Sequence, residues 1–383
     1  MTKRLIQFLA MSAVFTALFA CSSETVNVPT ELTDIDDPVD LEELWDADSG
    51  TGDNELQLQL EPFVSGPLVF TVDIEGNVQA RSTETGKLQW EKDLDQRVSG
   101  GVSGDSQRIY VTSFQGEIIA LSREDGTELW RSRLSSEALS VAASDGATVV
   151  VHSSDGRIFA FNTASGEQRW RYDSDTPALS LRGTSAPMIF ENSVLIGLAN
   201  GELVSLDLSD GRMRWDVSLG QPSGRTELER LVDADGNYVE LYGSVFAAAF
   251  QGDIKAINIA TGTEVWSKSI STYRGVAVSR AAEILVVTDS EGVVYGLDVA
   301  SGKEVWRSEA LKYRRLSGAE ILGNYAAVAD FEGYVHLLDV GSGAIAGRVR
   351  PDSDGIMGRM KVVGSTLYVY TRSGDLYTYR ITP

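Results

Sequence analysis

The feature that most constrains what this chain can fold into is a repeat with a period near 40 residues. Glu75-Gly76-Asn77-Val78-Gln79-Ala80 leads to Thr85-Gly86-Lys87-Leu88-Gln89-Trp90, and Gln115-Gly116-Glu117-Ile118-Ile119-Ala120 leads to Asp125-Gly126-Thr127-Glu128-Leu129-Trp130. The first glycine recurs at 76, 116, 156, 201, 252, 292, 333 and 374, in steps of 40, 40, 45, 51, 40, 41 and 41, so eight units follow one another. Within a unit, short runs such as Arg108-Ile109-Tyr110-Val111-Thr112 alternate apolar and polar residues and are punctuated by Gly, Asp and Ser. Alternation of period two is the mark of a half-buried strand, and Asp-Gly or Ser-Gly pairs supply the positive φ that tight hairpin turns need. A unit of about 40 residues holds four strands of five or six residues with their turns, the size of one propeller blade. The expected fold is all-β, an eight-bladed β-propeller with four-stranded blades.

The tryptophans predict how the ring closes. Trp90, Trp130, Trp170, Trp215, Trp266 and Trp306 each stand 14 residues after the first glycine of a unit, and the seventh unit has Gly347 in that slot. The eighth unit would place its Trp at 388, past the last residue, whereas Trp45 lies 45 residues before Trp90 in a strand-like context. The N-terminal strand is therefore expected to supply the outer strand of the last blade, which removes an open sheet edge. Residues 41–383 become the propeller. The indoles themselves are expected to pack between blades, with each N–H capping a turn.

Composition excludes several kinds of function. A formal net charge of −22 opposes binding to phosphate backbones, so no nucleic-acid partner is expected. With one Cys and two His, neither a disulfide nor a Cys or His metal centre can be assembled, and no metal is expected. The sequence carries no G-x-S-x-G, Walker or H-E-x-x-H motif, and its glycines follow the blade period rather than opening a helix. His152 and His336 fall in predicted strands, and most carboxylates fall in Asp-Gly or Glu-Gly turns. No catalytic residue is assigned.

The N-terminus differs from the rest. Lys3 and Arg4 precede a largely apolar stretch from Leu5 to Ala20, which reads as an export signal over residues 1–20. Leu18-Phe19-Ala20-Cys21 resembles the lipobox of bacterial lipoproteins, which implies a lipid anchor on Cys21. Ser22 resembles the residue that follows the Cys in lipoproteins sent to the outer membrane, whose periplasmic face is the expected location. Residues 21–40, acidic and poor in aromatics, are expected to form a flexible tether with a reach on the order of 60 Å.

In a repeat protein, insertions map to loops on one face and often build its binding surface. The longer steps of 45 and 51 place Pro177-Ala178-Leu179-Ser180-Leu181-Arg182-Gly183 and Glu229-Arg230-Leu231-Val232-Asp233-Ala234-Asp235 after two successive Trp-bearing strands. With the lipobox and the eight blades, these inserts resemble the BamB family, lipoproteins of the outer-membrane β-barrel assembly machine. That resemblance implies a non-enzymatic scaffold without a cofactor. It also implies binding to the periplasmic POTRA region of BamA through Leu179, Leu181, Arg182, Asp233 and Asp235, with nascent outer-membrane proteins as further candidate ligands. The plainer alternative for the same residues is that both leucines anchor a long loop and Arg182 pairs with a nearby carboxylate. The blade repeat also resembles that of the pyrroloquinoline-quinone dehydrogenases, which leaves a periplasmic quinoprotein-type oxidoreductase as an alternative. A propeller binding a cell-envelope polymer is a third reading.

Overall fold

The computed structural model describes residues 27–53, 56, 58–177, 184–221, 225–226, 231–356 and 358–382. Among them there is no helix. Eight antiparallel four-stranded sheets form the ring, seven built from consecutive strands between Phe63 and Val349. The eighth joins the strands Lys361–Val363, Thr366–Tyr370 and Asp375–Ile381 to Leu41–Asp48 as its outer strand. The closure expected from Trp45 is thus observed, with Trp45 opposite Thr378 in the ladder.

Each blade repeats one packing device. The third and fourth strands carry a register shift next to the Trp, as between Ala80 and Arg81 or between Ala120 and Leu121, and such a bulge re-aims a side chain. The residue opposite the indole is small: Ala80 faces Trp90, Ala160 faces Trp170, Ser205 faces Trp215 and Gly296 faces Trp306. Each ring then reaches across to the turn of the next blade. Trp130 Nε1 donates to Thr163 O at 2.8 Å, Trp170 to Leu208 O at 2.8 Å and Trp266 to Val299 O at 2.8 Å. Trp45 does the same across the closure, donating to Thr83 O of the first blade at 3.0 Å. Gly86 in that turn has φ +68°, and a Cβ there would lie 2.6 Å from the Trp45 ring, so its glycine serves both the turn and the stack.

Blade seven breaks the device in a compensated way. Gly347 stands in the Trp slot and faces the large Leu337. The space beside it is occupied by the chain ahead of the first strand: Val39 N–H donates to Ala346 O at 2.7 Å, and a Cβ on Gly347 would lie 2.5 Å from Val39 O. Within the stretch expected to form the tether, Thr30, Thr33 and Val39 are hydrogen-bonded to the propeller. Leu32 and Val39 help to seat it, since each packs against a buried cluster between blades.

The core lies between blades, not within them. Phe246, Ala248, Ile254 and Trp266 of blade five, for example, pack on Leu285, Val287 and Leu297 of blade six. Five of the connections that enter an inner strand meet around one cavity near the ring axis, through Gln59, Asp235, Arg274, Gly318 and Arg359, each a few residues ahead of such a strand.

Candidate functional site

Both inserts fall within such connections, between the strands Gln168–Asp173 and Met188–Phe190 and between Met213–Ser218 and Val239–Leu241. The predicted contact residues Leu179, Leu181 and Arg182 lie outside the described residues, as does Cys21. The flank of the first insert is held by polar contacts to blade three. Thr184 Oγ1 donates to Ser140 Oγ at 3.0 Å, and Ser140 Oγ donates to Ser185 O at 3.1 Å. Buried His152 sits beneath, its Nδ1 3.4 Å from Ser185 O, and desolvation pushes this imidazole down to about 4. His152 is therefore a neutral supporting group.

The second insert folds back into the body. Leu231, Val232 and Ala234 are buried, and Tyr238 receives the Gly197 N–H on its hydroxyl. Asp233 is fully buried and exchanges backbone hydrogen bonds with Phe250, whose N–H reaches Asp233 O at 2.7 Å. Two residues on, Asp235 reaches the axis, where it lines a cavity with Gln59, Asn237, Tyr273, Arg274 and Arg359. Protein surrounds this carboxyl on nearly every side although part of its surface opens to the cavity. Burial, then the charge of Asp233, holds it well above the usual carboxylate range. The two predicted aspartates thus play different parts: Asp233 sits in the body of the loop, and Asp235 sits at the mouth of the axis.

The neighbours of Asp235 were not singled out from sequence. Tyr273 packs edge-on against Phe250 at 6.1 Å, Arg274 lies 4.6 Å over the Tyr273 ring, and Arg359 donates to Glu320 at 2.7 Å. These residues arrive through connections of ordinary length, so no break in the period marks them; their equivalent position just before each inner strand is the signal that would have found them. Chemically, the face combines aromatic rings, guanidinium groups and carboxylates, a composition suited to a protein surface. The cavity at its centre holds about 10 Å³, room for one water.

His336 lies in blade seven, on the strand Val335–Asp339. It is fully buried, with Nε2 2.9 Å from Asp330 Oδ2 and Nδ1 accepting from Arg348 Nε at 3.1 Å. Its imidazole is held below the ordinary value, chiefly by burial and further by the charges of Arg348 and Arg314, against the pull of Asp330.

A family profile described as "Outer membrane protein assembly factor BamB" matches residues 74–308, more than half of the chain. The chain belongs to the BamB family. An "Outer membrane protein assembly factor BamB" from Pseudomonas aeruginosa is 46% identical over 374 residues, covering 97% of this chain and 98% of the relative. Its counterpart from Kangiella koreensis is 40% identical over 364 residues, with 95% and 93% covered. The crystal structure of BamB from Moraxella catarrhalis superposes with a TM-score of 0.82 at 24% identity, over 89% of this chain and all of that one. A europium-containing methanol dehydrogenase shares the propeller with a TM-score of 0.73 at 13% identity, covering 89% of this chain and 93% of that one, a likeness of fold alone. The family resemblance read from the inserts therefore agrees with matches that run almost the whole length of the chain.

Proposed function

We propose that this protein is a non-enzymatic scaffold lipoprotein of the outer-membrane protein assembly machinery, anchored through Cys21 on the periplasmic face and docking the POTRA region of BamA. The observation that carries this reading is the match to assembly factors over nearly the full chain, at 46% identity in one case. The two departures from the blade period support a docking role, since insertions in a repeat protein often build its binding surface. In this reading Leu179 and Leu181 form an apolar centre, Arg182 and Asp235 supply charge around it, and Asp233 gives the second loop its shape. Nascent barrel proteins are further candidate ligands of the same face.

The oxidoreductase alternative has no support from the site. The likeness to quinoprotein dehydrogenases is one of fold alone, and the two imidazoles are buried and occupied by neighbours. No observation favours a polymer ligand.

The test is the triple replacement of Leu179, Leu181 and Arg182 by alanine, followed by binding to the purified POTRA region and by melting. Loss of an interface centre costs about 2 kcal/mol or more, so affinity should fall roughly 30-fold at unchanged Tm. Undiminished binding by a triple variant of unchanged Tm refutes the assignment.

A further inference from the structure

Six of the seven blade seams whose Trp slot follows the first glycine by 14 residues are stapled by an indole; the seam after blade seven is not. There the staple has no hairpin turn to rest on, because the strand Asp375–Ile381 of blade eight pairs with the N-terminal strand Leu41–Asp48. What covers this seam is the N-terminal arm. Thr30 N–H donates to Lys312 O at 3.0 Å, and its hydroxyl donates to the same oxygen at 3.1 Å. Leu32 packs on the cluster of blades six and seven that contains Trp306, Leu316 and Leu338, while Val39 packs on the cluster of blades seven and eight that contains Leu337, Leu367 and Tyr379. The arm thus crosses blade seven from one seam to the other.

Two arginines grip it by its carbonyls. Arg314 Nη1 donates to Thr30 O at 3.1 Å and Arg348 Nη1 to Thr33 O at 3.2 Å. Both are set from below: Arg314 Nε pairs with buried Asp330 at 2.7 Å, and Arg348 donates to His336, itself hydrogen-bonded to Asp330. Such a relay fixes the two guanidinium groups before the arm arrives. The arm itself contributes few contacts. Only Leu32, Ile35 and Val39 among residues 31–40 are apolar and half-buried, and most of its other side chains are exposed. A segment held by a few backbone bonds and two small apolar contacts opens at lower free energy than the sheets around it.

We propose that residues 30–39 are a releasable strap, which seals the unstapled seam when seated and lengthens the membrane tether when it lifts. The second half rests on the lipid anchor at Cys21. With the strap seated, Thr30 stands nine steps along the chain from Cys21, a reach of about 30 Å; with it lifted as far as Asp40, nineteen steps, the reach doubles to about 65 Å. Gly347 is the signature of the strap, since its lack of a side chain leaves room for the Val39 carbonyl.

Hydrogen exchange on the full mature chain tests the strap without reference to the anchor. The Thr30 and Val39 amides should be protected at least tenfold over an unstructured peptide, and at least tenfold less than the amides of Leu41–Asp48. Gly347→Ala, which adds a Cβ where Val39 O lies, should lower that protection tenfold or more and leave the amides of blade two unchanged. If Gly347→Ala perturbs the whole ring, Leu32→Ser decides the matter by the same readout. Arm amides that are unprotected from the start, that exchange only together with Leu41–Asp48, or that ignore both substitutions overturn the proposal. Fractionation of Cys21→Ser separately reports on the anchor.

Discussion

Ring closure through Trp45 can be tested by a cycle between that residue and Gly86. Trp45 is 9% exposed, and a buried indole of roughly 150–250 Å² contributes on the order of 4–6 kcal/mol in gross transfer terms. Trp45→Ala should cost about 3–5 kcal/mol of stability to urea. Gly86→Ala carries two penalties. Its φ of +68° costs a residue with a Cβ about 1–2 kcal/mol, and that Cβ would lie 2.6 Å from the Trp45 ring, an overlap worth about 1–3 kcal/mol more. Once the indole is gone only the backbone penalty survives. In the Trp45→Ala background, Gly86→Ala should therefore cost about 1–2 kcal/mol, and the double variant should be about 1–3 kcal/mol more stable than the sum of the single changes implies. Trp90 and Gly126 offer an internal control, because a Cβ on Gly126 would lie 2.7 Å from the Trp90 ring within the continuous part of the ring. Additivity within about 0.5 kcal/mol for the Trp45 pair, alongside non-additivity for the control, would refute closure by the N-terminal strand.

Two further outcomes follow from buried ionisable groups. His152 titrates near 4 in the folded protein against about 6.5 in the unfolded chain, so the unfolded state takes up the proton first. Stability should be complete above about pH 6.5 and fall by up to about 3 kcal/mol as pH drops toward 4. His152→Asn, whatever its stability at pH 7, should show a shallower loss across that window in urea midpoints; an identical slope would contradict a buried neutral imidazole. Asp235 has the opposite sign, because its carboxyl is raised in the fold and its charge is destabilising at neutral pH. Asp235→Asn should therefore raise Tm at pH 7–8, and the gain should shrink as pH falls and the native carboxyl takes up its proton; a lower Tm at neutral pH would contradict the crowding by Asp233.

The fold was legible because each blade states its packing twice, once in strand alternation and once in the paired Gly and Trp. The opposing small residue was legible too: Ala80, Ala120 and Ala160 stand in the same slot of the repeat, and their role is to leave room for an indole. Gly347 was visible only as an exception. Nothing local to it says what fills the missing volume, since the partner, Val39, is some three hundred residues away and belongs to a stretch whose acidic composition reads as a solvated linker. Composition measures what a segment can bury by itself; it does not register two apolar side chains that complete cores built by other blades.

The same distinction applies at the candidate site. Asp233 and Asp235 look equivalent in sequence, two acids of one motif separated by a single alanine. Their environments separate them, because the bridge to Phe250 draws Asp233 into the loop while Asp235 turns to the axis beside Tyr273 and Arg274. A pattern of alternation says that the two side chains share a side of the chain, not which of them meets solvent. That depends on where the insert re-enters the ring, and the re-entry is set by buried Leu231, Val232 and Ala234, which stand before and between the acids. Loss of those anchors would move both carboxylates together, so a binding defect from Asp233→Ala reports on loop shape as much as on charge. Asp235→Asn, which keeps size and hydrogen-bonding capacity, isolates the charge at the mouth of the axis.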